Sequence, residues 1–493
     1  MGTDHVDVLI VGAGLSGIGA AYRLQTMTEG KTYAILESRQ AMGGTWDLFR
    51  YPGIRSDSDM YTLSFPYKPW THENSIADGS DIRAYIEETA RENGIDQHIR
   101  FGHRVTRASW SSDDARWTVE ASTDDGSVEL TASFLYLCSG YYSYDEGFTP
   151  DFPGLDDFQG QVVHPQFWPE DLDYDGKEVV VIGSGATAVT LIPSMADRTK
   201  HVTMLQRSPT YITALPKRDP IAKAMRRVLP NGLAHRLTRI KNAAMAIGFY
   251  VFCQRFPKLA RKVLMRMADR RLPEGFDRKH LSPHYNPWDQ RLCIVPDGDL
   301  FRTLRRGKAS IVTDHIKTFT ETGIDLESGE HLDADIVVTA TGLQVVTFGQ
   351  IDVVVDGRVI DPHETFTYKG MMFSGIPNFA WCVGYTNASW TLRADLTSQY
   401  VARLLNHMDE KGYAYGMPDP AGASGEPAPI LDLKSGYVQR VKHLLPQQGS
   451  ESPWTIRQNW FLDAWDHRRT DLDDAMVWQV RSGSADTSTR RAA

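Results

Sequence analysis

Cysteine is scarce in this chain: four residues in 493 (Cys138, Cys253, Cys293 and Cys382), with no CxxC pair among them. That spacing excludes a disulfide-stapled secreted module and a zinc ribbon, and it suits a reducing cytoplasm. Long apolar runs are missing too. The longest, near Ala243 to Cys253, falls well short of the roughly 20 residues that span a bilayer. A strand-like run starts at Val6 and leaves no room for a signal peptide, so a cytoplasmic protein that is not integral to a membrane is expected. Positive charge is in deficit, with 53 Lys/Arg against 62 Asp/Glu for a net −9. A nucleic-acid binder is normally basic, and none is expected here. What the chain does have is 41% apolar and 10% aromatic residues, which excludes a disordered or fibrous protein. Its length fits roughly two to four domains with an interdomain cleft.

The charge deficit is uneven. Between Lys217 and Lys279 stand 17 Lys/Arg and 4 Asp/Glu, a local +13. Residues from Pro216 to about Pro287 read as amphipathic helices, with Ile221, Met225 and Val228 on one face and Lys223, Arg226 and Arg227 on another. Two readings stay open: helices that line a substrate tunnel with Lys and Arg on solvated outer faces, or peripheral contact of 217–279 with anionic lipid.

Two strand–turn–helix motifs organise the rest. Val6 to Val11 is a buried-strand pattern followed by GAGLSG, in which Gly12 permits the tight turn, Gly14 lets backbone approach a pyrophosphate, and Gly17 lets helix pack on strand. The next strand, TYAILE, ends in Glu37, 20 residues after Gly17, where a carboxylate can accept hydrogen bonds from a ribose diol. The second copy is Glu178 to Ile182 followed by GSGATA, and its next strand, HVTMLQ, leads into Arg207 and Ser208 with no acid at the tip. A cation and a hydroxyl suit a 2′-phosphate, which favours NADP(H) over NAD(H); a surface ion pair is the alternative for Arg207. The expected fold is α/β, with two Rossmann-like dinucleotide-binding domains and a helical insertion. The first domain takes residues 1–145 and 343–493, the second 150–212 and 290–342, and the insertion 213–289.

Two further patterns name a family. GGTWDLFRYPGIRSD (Gly43 to Asp57) fits [AG]-G-x-W-x4-[FY]-P-[GM]-x3-D, and FQGQVVHPQFWP fits F-x-G-x3-H-x3-[FW]-P through Phe158, Gly160, His164, Trp168 and Pro169. With both glycine motifs in order, the chain resembles the type I Baeyer–Villiger monooxygenases, class B flavoproteins. The stretches RYPGIRSDSDMYTL, LQRSPTYI, HYNPWDQRL and GYTNASWTL resemble the ethionamide-activating branch, to which long-chain ketone and alkane-associated monooxygenases are also similar.

The resemblance implies bound FAD, NADPH as reductant and insertion of one oxygen atom of O2 beside a carbonyl, via a C4a-peroxyflavin, giving esters or lactones. Oxygenation of sulfides or thioamides is implied as a second activity. The partners expected are therefore O2 and a lipophilic ketone or sulfur substrate. By motif, Ser16, Glu37, Thr45, Trp46, Asp47, Leu48, Asp57 and the backbone of Val105 should contact FAD. Arg55, Ser56 and Asp57 should line the NADP site, with Gly183, Ser184, Gly185, Ala186, Thr187, Ala188, Val189, Thr190, Arg207 and Ser208. Arg291 matches the active-site arginine. Some relatives place Lys just before that arginine; here Gln290 stands there.

The chemistry requires a fixed cation where charge develops on oxygen, and Arg291 supplies one, with Asp57 to orient it; an ordinary ion pair is the competing reading. His164, in the linker between the nucleotide motifs, reads as a hinge or hydrogen-bonding residue. Trp46, Trp168 and Trp390 read as packing residues, and Asn387 approaches the flavin ring. A flavin disulfide reductase would need a redox cysteine pair where this chain has Trp46. Two alternatives carry distinct tests: an N- or S-oxygenase working through the hydroperoxide, and a non-catalytic membrane-associated nucleotide sensor, which would purify colourless.

Overall fold

The apolar run at the N-terminus becomes β1 (Asp4–Val11), which pairs in parallel with β2 (Tyr33–Leu36) and with the later β6 (Gly126–Leu137). A strand held this way is covered on both faces, which is why its apolar residues run on instead of alternating. In the computed structural model, which describes residues 4–423, 425–431 and 434–481, β3 (Ile99–Arg100) extends the parallel part of this sheet. β4 (Arg104–Ser111) and β5 (Arg116–Thr123) add an antiparallel meander whose burial alternates. Strands from the far end of the chain complete it, Asp352–Val355 beside β4 and Phe379–Trp381 beside β6. Residues on either side of the second glycine motif thus share one nine-stranded sheet.

β7 (Tyr142–Gly147) leaves this sheet and pairs antiparallel with Leu343–Val345, so the outgoing and returning chains cross side by side. Beyond the crossing, β8 (Gln161–Val163), β9 (Glu178–Ile182), β10 (His201–Gln206), β11 (Ala309–Thr313) and β12 (Ile336–Thr339) build a second sheet in the order β11-β10-β9-β12-β8, every pairing parallel. Helix α1 (Leu15–Met27) follows β1 and α2 (Ala186–Met195) follows β9. These are two Rossmann-like units, as the strand–turn–helix pattern predicts. The C-terminal limit of the first predicted domain, residues 482–493, lies outside the described residues.

His164 sits at the crossing. Its ring packs against Gly147 so closely that a β-carbon there would come within 1.9 Å of His164 Cε1, and its Nδ1 accepts from the Gln166 backbone N–H at 3.2 Å. It does not line the cleft between the two units.

The insertion is three helices, α3 (Pro220–Val228), α4 (Asn231–Arg255) and α5 (Pro257–Asp269). Its orientation departs from expectation in part: Lys223 and Arg227 are exposed, as the solvated face requires, but not Arg226. Arg226, assigned to the solvated face, turns inward and donates to the Tyr61 hydroxyl and the Thr71 carbonyl, both at 2.8 Å. Ile221 and Val228, the expected apolar face, are exposed, Val228 at 79%. Polar anchors hold this side of the insertion to the first unit. Buried Arg239 donates to the carbonyls of Tyr61, Thr62 and Ser64, and Asn242 to Asp59, so α4 is fastened to the first unit by its polar side.

Two buried histidines predict an acid limit. Burial depresses the pKa of His235 on α4 to about 4 and that of His467, in the helix Trp460–Arg469, to about 3. Each stays neutral in the folded protein at pH values where the unfolded chain, with an ordinary pKa near 6.5, takes up a proton. Stability is therefore whole above pH 6.5 and falls as pH drops toward 4, by roughly 3 kcal/mol for His235. Urea midpoints from pH 7 to 4 test this: His235→Leu should flatten the profile, and an unchanged slope refutes it.

Candidate functional site

At the first cradle two glycines are required by contact. Gly12 holds φ +104°, and a β-carbon on it would meet the Cys138 carbonyl oxygen at 2.7 Å; on Gly17 it would meet the Gly12 carbonyl oxygen at 1.9 Å. Gly14 instead faces Gly44 at an ordinary 3.5 Å, leaving the backbone open toward the cleft. Glu37, just past β2 and 4% exposed, accepts from the backbone N–H groups of Ala13 and Arg39 at 2.8 and 2.9 Å. Burial raises its pKa, an effect opposed by those two bonds. These features fit the adenosine half of a dinucleotide: a bare backbone turn at a helix N-terminus and an acid one strand away.

One cleft runs from this cradle to the second. Gly12, Gly14, Ser16, Glu37, Thr45, Trp46, Arg55, Ser56, Asp57, Val105, Ala186, Thr187, Thr190 and Arg291 all line it. Several are held by polar contacts. Thr45 Oγ1 shares a hydrogen bond of 2.6 Å with the Tyr142 hydroxyl, and the Trp390 indole donates to Ser16 Oγ at 2.8 Å. Ser56 accepts from the Ala77 N–H, and Arg55 pairs with Asp299 at 2.5 Å while its other terminal nitrogen has no partner.

Other predicted residues stand back. Asp47 is buried away from the cleft, clamped by Arg39, Arg50 and Arg83 at 2.6, 3.3 and 3.1 Å, and Leu48 belongs to an apolar core. Gly17 acts only as a packing contact. Of the second loop, Gly183, Ser184, Gly185, Ala188 and Val189 do not line the cleft, nor do Arg207 and Ser208. Ser184 donates to the Ser208 carbonyl at 3.2 Å, tying the loop to the end of β10. Asn387 also lies off the cleft, donating to the Gln458 carbonyl at 2.9 Å; its neighbours Ala388, Ser389 and Trp390 line it instead.

Between the cradles Arg291 meets Asp57, Nη1 to Oδ2 at 3.3 Å. The pair joins residues 234 positions apart. Arg291 Nε is enclosed without a partner. Burial works against its charge, but the surrounding Tyr141, Asp57 and Tyr437 raise its pKa above the ordinary arginine value, so it stays cationic.

Sequence reasoning overlooked the strip Cys138–Tyr142 along the cleft wall. A signal for it existed: these residues follow the carboxyl end of β6, and parallel sheets bind ligands beyond that end. It also overlooked Arg440, which stacks on Phe148 with its guanidinium carbon 3.3 Å from the ring centroid. Burial and then repulsion from Arg207 lower the Arg440 pKa, which puts two cations on the same flank of the second cradle.

Two dinucleotide folds opening on one cleft, with a fixed cation between them, define a two-domain flavoprotein oxidoreductase. The chain belongs to the flavin-binding monooxygenase-like family, whose model matches residues 5–374. It is 56% identical to the FAD-containing monooxygenase EthA of Mycolicibacterium smegmatis over 94% of each chain. It is 48% identical to the probable FAD-binding monooxygenase AlmA of Acinetobacter baylyi over 96% of each. Among solved structures, an oxidised steroid monooxygenase bound to NADP superposes with a TM-score of 0.75 at 24% identity, covering 97% of this chain and 100% of that one. The resemblance drawn from the four motifs holds. Among the described residues, no helix is long and apolar enough to cross a membrane, and no cluster of side chains could hold a metal ion.

Proposed function

We propose that the protein is an FAD-containing, NADPH-consuming Baeyer–Villiger monooxygenase that inserts one oxygen atom of O2 beside the carbonyl of a lipophilic ketone. The observation that carries this reading is the Arg291–Asp57 pair between the two glycine cradles. Bound FAD would supply the redox chemistry, passing electrons from NADPH to O2. In this reading Glu37 takes the adenosine ribose, the backbone at Gly12 to Ser16 takes the pyrophosphate, and Thr45 and Trp46 flank the flavin. Arg55, with its unpartnered nitrogen, and Thr187 and Thr190 face the nicotinamide nucleotide. Arg291 holds positive charge where oxygen becomes anionic, and Asp57 orients it.

NADPH consumption across a panel of ketones and thioethers, with products identified by mass spectrometry, tests the reading. Ester or lactone formation is expected. Sulfoxides alone would point to the hydroperoxide-type oxygenase, and colourless protein without O2 uptake would end the enzymatic reading.

Arg207 and Arg440 are proposed to share the 2′-phosphate, Arg440 supplying the second cation that Gln290 lacks. Loss of one charge-assisted hydrogen bond weakens binding roughly tenfold. Arg207→Gln and Arg440→Gln should each raise the KM for NADPH by about that factor and leave the KM for NADH unchanged; equal effects on both nucleotides would refute the assignment.

A further inference from the structure

Helix α4 carries apolar side chains on its outer side as well as on its inner one, which is unusual for a surface helix of a protein that stands alone. Its inward face carries His235, Thr238, Arg239 and Asn242 together with Ala234, Ala243, Ile247 and Cys253, while Leu233, Leu237, Ile240, Ala244 and Val251 face out at spacings of four, three, four and seven. Those spacings keep them on one side of the helix over about 27 Å of its length. Phe256, just before α5, and Leu259 and Val263 on it are also exposed, although α5 buries Ala260, Leu264 and Ala268 on its other side, and α3 exposes Ile221 and Val228. Phe256 and Leu259 are 55% and 51% exposed. Scattered exposed apolar residues need no explanation, but ten or so on three consecutive helices do.

Cations flank this face. Lys223, Arg227, Arg236, Arg255, Lys258, Lys262 and Arg266 are exposed, and among the described residues none of them pairs with a carboxylate. From Asn231 to Ala268 there is not one Asp or Glu. In a protein whose net charge is −9, an acid-free segment bordering an apolar stripe is a local departure that solubility does not explain. An apolar stripe edged by basic side chains is the pattern of a helix lying flat in a membrane interface, with cations at the level of anionic headgroups.

We propose that the outer face of α3–α5 docks on an anionic lipid bilayer, with the apolar stripes of α4 and α5 entering the interface and the unpaired Lys and Arg meeting lipid phosphates. The polar anchors of Arg226, Arg239 and Asn242 hold the helices to the first Rossmann-like unit from behind, so the face is presented without rearrangement. Charge selects this occupant over a zwitterionic surface, and the run of cations over three helices fits a laterally extended charged plane better than a bounded protein groove. The inference does not depend on the oxygenation reading, because its test measures binding alone.

The full-length protein is co-sedimented with vesicles of phosphatidylcholine alone and of phosphatidylcholine with phosphatidylglycerol. Two exposed-residue variants are compared with it: Lys258→Glu/Lys262→Glu/Arg266→Glu, and Leu237→Ser/Ile240→Ser/Val263→Ser. Circular dichroism establishes that both are folded. Wild type should bind the anionic vesicles at low salt at least roughly tenfold more tightly than the neutral ones. High salt or charge reversal should remove that preference, and the serine variant should bind anionic vesicles roughly tenfold more weakly even at low salt. Absence of binding at low salt, equal binding to both vesicle types, or wild-type binding by both variants overturns the proposal. So does concentration-dependent self-association that the same substitutions abolish, which would make the face an interface between copies of this chain.

Discussion

Arg291→Ala should yield a yellow protein that still oxidises NADPH but forms oxygenated product at least roughly 10³-fold more slowly, the cost of removing one preorganised charged donor. Arg291 is the cation that lines the cleft between the cradles with an unpartnered Nε, held to Asp57 at 3.3 Å. Since it lies away from the Gly12–Gly17 turn, flavin content should not change. Electrons from NADPH should then emerge as hydrogen peroxide, so the readouts are product yield and peroxide per NADPH. Arg291→Lys should recover little, because an ammonium keeps the charge but lacks the planar fork that can meet Asp57 and a developing oxyanion together. Product formation within tenfold of wild type in either variant would refute the role. Asp57→Asn should keep most of the fold and lose orientation, an intermediate defect.

Sequence reading reached the cradles because their constraint is local: a turn that must place backbone against backbone leaves only glycine, and the acid follows one strand later. It reached Arg291 and Asp57 only through motifs, since nothing local predicts that residues 234 positions apart will pair. It named Asp47 as a cofactor contact, whereas the side chain is consumed by Arg39, Arg50 and Arg83; a motif preserves a position without saying which way its side chain points. The helical insertion misled for a different reason. Periodicity places Lys223 and Arg227 of α3 in solvent correctly but cannot say that Arg226 turns inward, and here Arg226 and Arg239 find free carbonyls near Thr71 and at the Tyr61–Ser64 turn. Three or more hydrogen bonds to otherwise unpaired carbonyls can outweigh burial of a few methylenes, each worth about 0.8 kcal/mol. Arg440 was unreadable because it reaches the second cradle from the far end of the chain.

Gly17→Ala should abolish flavin binding by breaking the fold, whereas Gly14→Ala should weaken it strongly while the fold survives. At Gly17 the added carbon would lie 1.9 Å from the Gly12 carbonyl oxygen, which is backbone and cannot swing aside. Either α1 lifts from β1 or the turn opens, and overpacking of this kind costs about 3 kcal/mol or more. At Gly14 the backbone has φ −83°, which alanine adopts freely, and its nearest neighbour would be Gly44 at 3.5 Å. The methyl group is accommodated by the protein and occupies only the space a pyrophosphate needs. Apoprotein of this variant should unfold within a degree or two of wild-type apoprotein and bind added FAD on the order of 100-fold more weakly. Gly185→Ala is the matching control at the second cradle, where an added carbon meets nothing within 4 Å; flavin content there should be unchanged. Thermal melts of the apoproteins together with FAD titrations separate the three outcomes. If Gly14→Ala kept normal flavin affinity, the first cradle would not be the pyrophosphate site, and the assignment of the two nucleotides would have to be rebuilt from the second.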